Sequence, residues 1–155
     1  MAVIVGSRSD VPTMEKATAL LEELGVASEL RVISAHRAPA LLERFVSESE
    51  QSGVRVFICA AGLAAHLPGV VASKTLLPVI GVPLPGGVAD GLDALLSIVQ
   101  MPRGVPVATV GVGNAGNAAL LAVEMLALSD DALRSRLASW RAEQTRAIEE
   151  DPSNQ

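Results

Sequence analysis

The sequence predicts an open α/β protein, a three-layer α/β/α sandwich on a five-stranded parallel sheet in the order 2-1-3-4-5, with a helix added at the C-terminus. Three observations carry that reading. Apolar runs alternate with helical patterns along the chain. The central runs are almost continuously apolar, as strands covered on both faces should be. Short Gly-, Ser- and His-bearing segments fall just past the first three runs, at the edge where such sheets bind ligands.

Strand one is read at about Ala2 to Val5. The next helix places Met14, Ala17, Leu20, Leu21 and Leu24 on one face; Asp10 is its expected N-cap, Pro12 fits its first turn and Gly25 ends it. Strand two runs from about Ser28 to Ile33. Pro39 opens a helix with Leu41, Leu42, Phe45 and Val46 apolar, ending near Gly53. Strand three, Val54 to Ala60, precedes a helix from about His66–Pro68 to Lys74. Strand four, Pro78 to Val82, runs into the loop signal Pro83, Pro85, Gly86 and Gly87. A helix from about Asp90 to Val99 leads through Met101-Pro102-Arg103-Gly104 to strand five, Val105 to Val110. Asn114 to Leu128 reads as an Ala- and Leu-rich helix. Asp130 to Glu149 is the last helix, with Leu133, Leu137, Trp140 and Ile148 as its apolar side. The expected organisation is one domain over residues 1–150 and a frayed tail from Asp151 to Gln155.

Composition narrows the function. Half of the 155 residues are apolar and 2% are aromatic, so the core is built from Val, Leu, Ile and Ala. A mean hydropathy of +0.41 points to apolar surface covered by self-association. The net charge of -5 argues against general nucleic-acid binding, which needs a basic face. The lone cysteine, Cys59, forms no intrachain disulfide and reads as a small buried residue. The opening apolar run is too short for a signal peptide, no run is long enough to span a bilayer, and the expected location is cytoplasmic.

Three segments carry chemistry. Gly6-Ser7-Arg8-Ser9-Asp10 joins a strand to a helix; hydroxyls, free N–H groups and the helix dipole suit a phosphate there, and an ordinary capped turn has the same pattern. His36, between Ser34 and Arg37, is either an acid/base beside an anion-binding arginine or an exposed loop histidine beside a surface ion pair. In Ala60-Ala61-Gly62-Leu63-Ala64-Ala65-His66, small side chains let a carboxylate approach the main chain. The same run also suits a helix packed closely on the sheet, with His66 as a cap. Arg103 is a loop residue or a supplier of positive charge to the site or a neighbouring subunit's site. Asn114 and Asn117 read as helix-cap residues.

Taken in register, Gly-Ser-Arg-Ser-Asp at 6–10, Ser-Ala-His-Arg at 34–37, Ala-Ala-His-Leu-Pro-Gly at 64–69 and Ser-Ile-Val-Gln-Met-Pro-Arg-Gly at 97–104 resemble the PurE family, and the third run resembles its bacterial class I form. Asn-Ala-Ala-Leu-Leu-Ala at 117–122 fits as well. The resemblance implies a flavodoxin-like fold, a homo-octamer with sites shared between subunits, no metal and no organic cofactor. It implies a purine-biosynthesis mutase moving the carboxylate of N5-carboxyaminoimidazole ribonucleotide to ring carbon four. An ATP-dependent synthetase would supply the carbamate substrate. Direct carboxylation of aminoimidazole ribonucleotide is the alternative reaction; a nucleotide- or flavin-binding module without turnover is the alternative class. By the same resemblance His36 is the acid/base, Asp10 contacts the ribose, and Arg37 lies near the phosphate. Ser7 binds substrate, Ser9 and Ser34 are further phosphate contacts, and Gly62 to His66 form the carboxylate pocket. Leu63 departs from the family pattern, which has a second glycine there, and is expected either to narrow that pocket or to point into the core. The stretch 113–117 is slightly shortened.

Overall fold

The computed structural model describes residues 1–154. Five parallel strands, β1 (Ala2–Val5), β2 (Glu29–Val32), β3 (Phe57–Ala61), β4 (Val79–Pro83) and β5 (Ala108–Thr109), pair in the order 2-1-3-4-5. Six helices complete the layers: α1 (Val11–Glu23), α2 (Pro39–Gln51), α3 (Leu67–Ala72), α4 (Leu92–Val99), α5 (Ala115–Ala127) and α6 (Asp131–Glu149).

The period-two alternation of strand side chains divides the interior into two cores. Val3, Val5, Ile58, Ala60, Ile80 and Val82 face α1, α5 and α6. Ala2, Ile4, Phe57, Cys59 and Val79 face α2, α3 and α4. Buried alanines at 115, 118, 119 and 122 let α5 lie close beneath the sheet, which is how a chain with so few aromatics packs densely. Gly81 does the same on the other face, where a Cβ would collide with Ile98 of α4.

The edges depart from the sequence reading. β2 is shorter than Ser28–Ile33 and mostly exposed, because it terminates the sheet and carries the Glu29–Arg31 ion pair outward. β5 shrinks to two residues at the other edge, where Pro106 has no N–H for the ladder. β3 starts at Phe57, after Val54 to Val56. The helix expected from Asp90 begins at Leu92, after a 3₁₀ turn at Val88–Asp90. In α6, Leu133 and Leu137 are buried and Trp140 packs partly against the core. Ile148, expected on the apolar side, is 67% exposed, because the helix runs beyond the core after Trp140. Asp130 caps α6 by accepting from the Leu133 N–H at 2.9 Å, and Asn114 caps α5 by accepting from the Asn117 N–H at 3.1 Å. Of the expected tail, Pro152–Asn154 form a 3₁₀ turn and Gln155 lies outside the described residues. Among the described residues no helix is long and apolar enough to cross a membrane.

Candidate functional site

The strand order reverses direction between β1 and β3, and a crevice of about 570 Å³ opens above their C-terminal ends. Ser7, Ser9, Asp10, Ser34, His36, Arg37, Gly62 and His66 all line it. A cleft of this size suits a nucleotide-sized ligand. A second cleft of about 520 Å³ lies at the opposite edge, beside Gly25, Arg55 and Leu133. It has no histidine, and Arg136 there donates to the Leu24 carbonyl at 2.9 Å. The chemistry-bearing residues therefore single out the first crevice.

The loop after β1 makes a 3₁₀ turn, Arg8–Asp10, before α1 begins. Ser7 has the extended backbone of a cap (φ -146°, ψ 155°), and its Oγ accepts from the Ser9 N–H at 3.4 Å. Asp10 is not the side-chain cap expected from the sequence. Its backbone is already helical (φ -89°, ψ -16°), so its carboxylate does not reach back to the first-turn N–H groups. It stays half-buried at the crevice wall. Ser9 Oγ lies 2.9 Å from Ser7 Oγ and 3.1 Å from Asp10 Oδ1. One hydroxyl proton serves one of these acceptors at a time. Where Ser7 Oγ accepts it, the proton of Ser7 remains to donate to a ligand.

The loop after β2 brings Arg37 across to β1. Its Nη2 donates to the Gly6 carbonyl at 3.0 Å, and its backbone N–H donates to Ser34 Oγ at 3.3 Å. Among the described residues no carboxylate pairs with Arg37, so the surface ion pair weighed from the sequence is absent. A tethered guanidinium with donors left over is a ready anion contact.

The two histidines of the chain meet. His36 Nε2 lies 2.7 Å from His66 Nδ1, with the rings nearly perpendicular at 80° and their centroids 4.9 Å apart. One nitrogen of the contact must carry a proton and the other must be bare. The outer nitrogens, His36 Nδ1 and His66 Nε2, are left for a ligand. His66 occupies the N-cap position of α3 but makes no cap bond; its ring is turned to His36 instead. The capping role weighed from the sequence is therefore not the one it has.

Several contributors were missed by sequence reasoning. Leu84 and Pro85 line the crevice from the end of β4, and Ala35 and Leu67 add apolar surface. Leu84 N–H donates to the Ala61 carbonyl at 3.0 Å, which extends the β3–β4 ladder and lifts this loop against Gly62. Its Cβ would be 3.7 Å from a side chain at Gly62. The available signal was an apolar residue directly after a strand next to the switch point. Leu63 does not point into the core: it is 61% exposed at the crevice, with φ +54°. Arg103 is exposed and lines no part of the crevice. Burial pushes the Cys59 thiol far above its ordinary range, so it stays protonated within β3. Among the described residues no cluster of metal-ligating side chains occurs.

A five-stranded parallel sheet in the order 2-1-3-4-5, with its crevice at the switch point, defines a flavodoxin-like α/β protein. A family model described as AIR carboxylase matches residues 1–147, and the chain belongs to that family. It is 50% identical over 157 residues to an N5-carboxyaminoimidazole ribonucleotide mutase of Brucella melitensis, covering 100% of this chain and 97% of that one. It is 53% identical over 148 residues to a chloroplastic phosphoribosylaminoimidazole carboxylase of Vigna aconitifolia, covering 96% of this chain but 27% of that protein. The crystal structure of Treponema denticola PurE matches with a TM-score of 0.88 at 28% identity, over 98% of this chain and 95% of the other.

Proposed function

We propose that the chain is a purine-biosynthesis isomerase of the class I PurE type, converting N5-carboxyaminoimidazole ribonucleotide to 4-carboxy-5-aminoimidazole ribonucleotide. The observation that carries this reading is the contact between His36 and His66, 2.7 Å long, inside the switch-point crevice. The mutase named in Brucella melitensis supports it across the whole chain.

The chemistry balances without an oxidant or a phosphate donor. Protonated His36 gives a proton to the exocyclic nitrogen as the carbamate N–C bond breaks, and carbon dioxide is released. Ring carbon four then attacks that carbon dioxide, forming the new C–C bond, and neutral His36 takes the proton that carbon four loses. One imidazole thus acts first as acid and then as base, and the sum is an isomerisation. Asp10 accepts from the ribose hydroxyls. Arg37 holds the phosphate, with Ser7, Ser9 and Ser34 adding hydroxyl contacts. Gly62 and His66 shape the pocket that keeps the carbon dioxide. Neither a metal nor an organic cofactor is required by this balance.

The working form is a homo-octamer with sites at subunit interfaces. The exposed stripe Leu92, Leu96 and Val99 along α4 supports self-association. The enzyme acts in the cytoplasm, downstream of an ATP-dependent synthetase that makes the carbamate.

His36→Asn tests the central assignment. Turnover should fall by about 10²- to 10⁴-fold while the ribonucleotide still binds. Near-normal turnover refutes the role of His36. The Vigna aconitifolia relative favours a second reading, direct carboxylation of aminoimidazole ribonucleotide. Offering each substrate separately, without ATP, decides between the two, and turnover of either removes a purely nucleotide-binding module.

A further inference from the structure

Leu63 combines three unusual properties. It is a large apolar side chain in the left-handed region, at φ +54°. It is 61% exposed and it lines the crevice. Single exposed leucines are ordinary on protein surfaces. A leucine held in a backbone conformation that disfavours its Cβ is not, and the surroundings must over-determine it.

Its side chain approaches the loop after β4. The segment from Gly86 to Gly91 has positive φ at Gly86, Gly87, Ala89, Asp90 and Gly91. Two carboxylates pin it: Asp90 Oδ1 accepts from the Gly86 N–H at 3.0 Å, and Asp93 Oδ2 accepts from the Val88 N–H at 3.1 Å. Gly87 leaves a gap where a Cβ would collide first with Asp93 Oδ2 and would lie 2.8 Å from Leu63 Cδ2. The Asp93 carboxylate and the Leu63 isobutyl group together fill the place a side chain at 87 would take. Leu63 bridges the loops after β3 and β4 beside Leu84 and Pro85, which also line the crevice.

We propose that Leu63 is the apolar cover that retains the carbon dioxide between bond breaking and bond making. This rests on the carboxylate-transfer reading above. Carbon dioxide is neutral and a poor hydrogen-bond partner, so shape and exclusion of water hold it better than donors do. Asp10, His36, Arg37 and the serines belong to the loops after β1 and β2, whereas the loops after β3 and β4 bring Leu63, Leu84 and Pro85 to the crevice, with His66 their one charged or hydrogen-bonding side chain there. Leu63 spans the gap between these last two loops, where the released molecule would otherwise meet solvent.

The test follows the fate of the carboxylate. Purified wild type, Leu63→Gly, Leu63→Asn and Leu63→Met are given the carbamate substrate in buffer containing ¹³C-bicarbonate. Two quantities are read: the ratio of decarboxylated aminoimidazole ribonucleotide to carboxylated product, corrected for enzyme-free decay, and the ¹³C content of that product. Gly and Asn both tolerate the left-handed backbone, so these variants fold. Each should raise the ratio and the label content by about threefold or more with little change in KM. Leu63→Met, which keeps an apolar side chain of similar size, should stay near wild type. Unchanged ratio and label in both Leu63→Gly and Leu63→Asn, with conversion intact, overturns the cover. A rise in KM alone also overturns it. If wild type itself converts no carbamate, the parent reading falls and this inference falls with it.

Discussion

The histidine pair makes a prediction whose size follows from its geometry. In His66→Phe the ring shape survives, so the perpendicular packing at 4.9 Å can persist, while Nδ1 is lost. Between two neutral rings a hydrogen bond is worth about 0.5 to 1.5 kcal/mol. That contact fixes the His36 ring in the orientation from which it meets the substrate. At about 1.4 kcal/mol per decade its loss predicts a fall in kcat of about 2- to 12-fold. KM should change little, because the ribose and phosphate contacts lie on other loops. Both rings are exposed at the crevice, so unfolding free energy should fall by no more than that hydrogen bond, about 0.5 to 1.5 kcal/mol. His66→Asn places an acceptor near the lost Nδ1 and should recover part of the rate. Steady-state kinetics and urea unfolding on the same preparations decide it. Unchanged kcat in His66→Phe refutes the ring-to-ring hydrogen bond as a contributor, and loss in Asn as deep as in Phe refutes the nitrogen as its cause.

Two further outcomes concern the scaffold. Gly81→Ala drives a methyl into Ile98, with Val107 Cγ1 at 3.0 Å and Pro68 Cβ at 3.4 Å on its other sides. Overpacking of this kind should cost about 1 to 3 kcal/mol in urea unfolding; adding Ile98→Ala should recover part of that loss relative to the sum of the two single changes. The Cys59 thiol is pushed up by burial, so the folded state keeps its proton where the unfolded chain releases it. The protein therefore holds this stability below the ordinary thiol value of about 8.5 and loses it as pH rises, by up to about 1.4 kcal/mol per pH unit. Urea midpoints between pH about 8 and about 10 should fall more steeply for wild type than for Cys59→Ala. Parallel slopes refute that origin.

What the sequence by itself determined is the alternation and the places where it breaks. The largely apolar runs read at Ala2–Val5, Val54–Ala60 and Pro78–Val82 are best satisfied in the middle of a covered parallel sheet, and Pro12, Pro39 and Pro68 mark helix starts by local geometry. Strand ends beside glycine and histidine are a local signal too, so the candidate residues could be named from the chain. Local signals did not say how far the edge strands extend, because β2 and β5 each have a neighbour on one side only and less ladder to hold them. Tertiary structure alone decided that His36 and His66, thirty positions apart, share a proton contact. It also decided that Asp10 faces the crevice instead of capping α1, and that Leu63 reaches across to Gly87. The physical reason is common to all three. Which way a short side chain turns depends on the partners that other loops deliver to it, and those partners are brought together only when the sheet sets β1, β3 and β4 side by side.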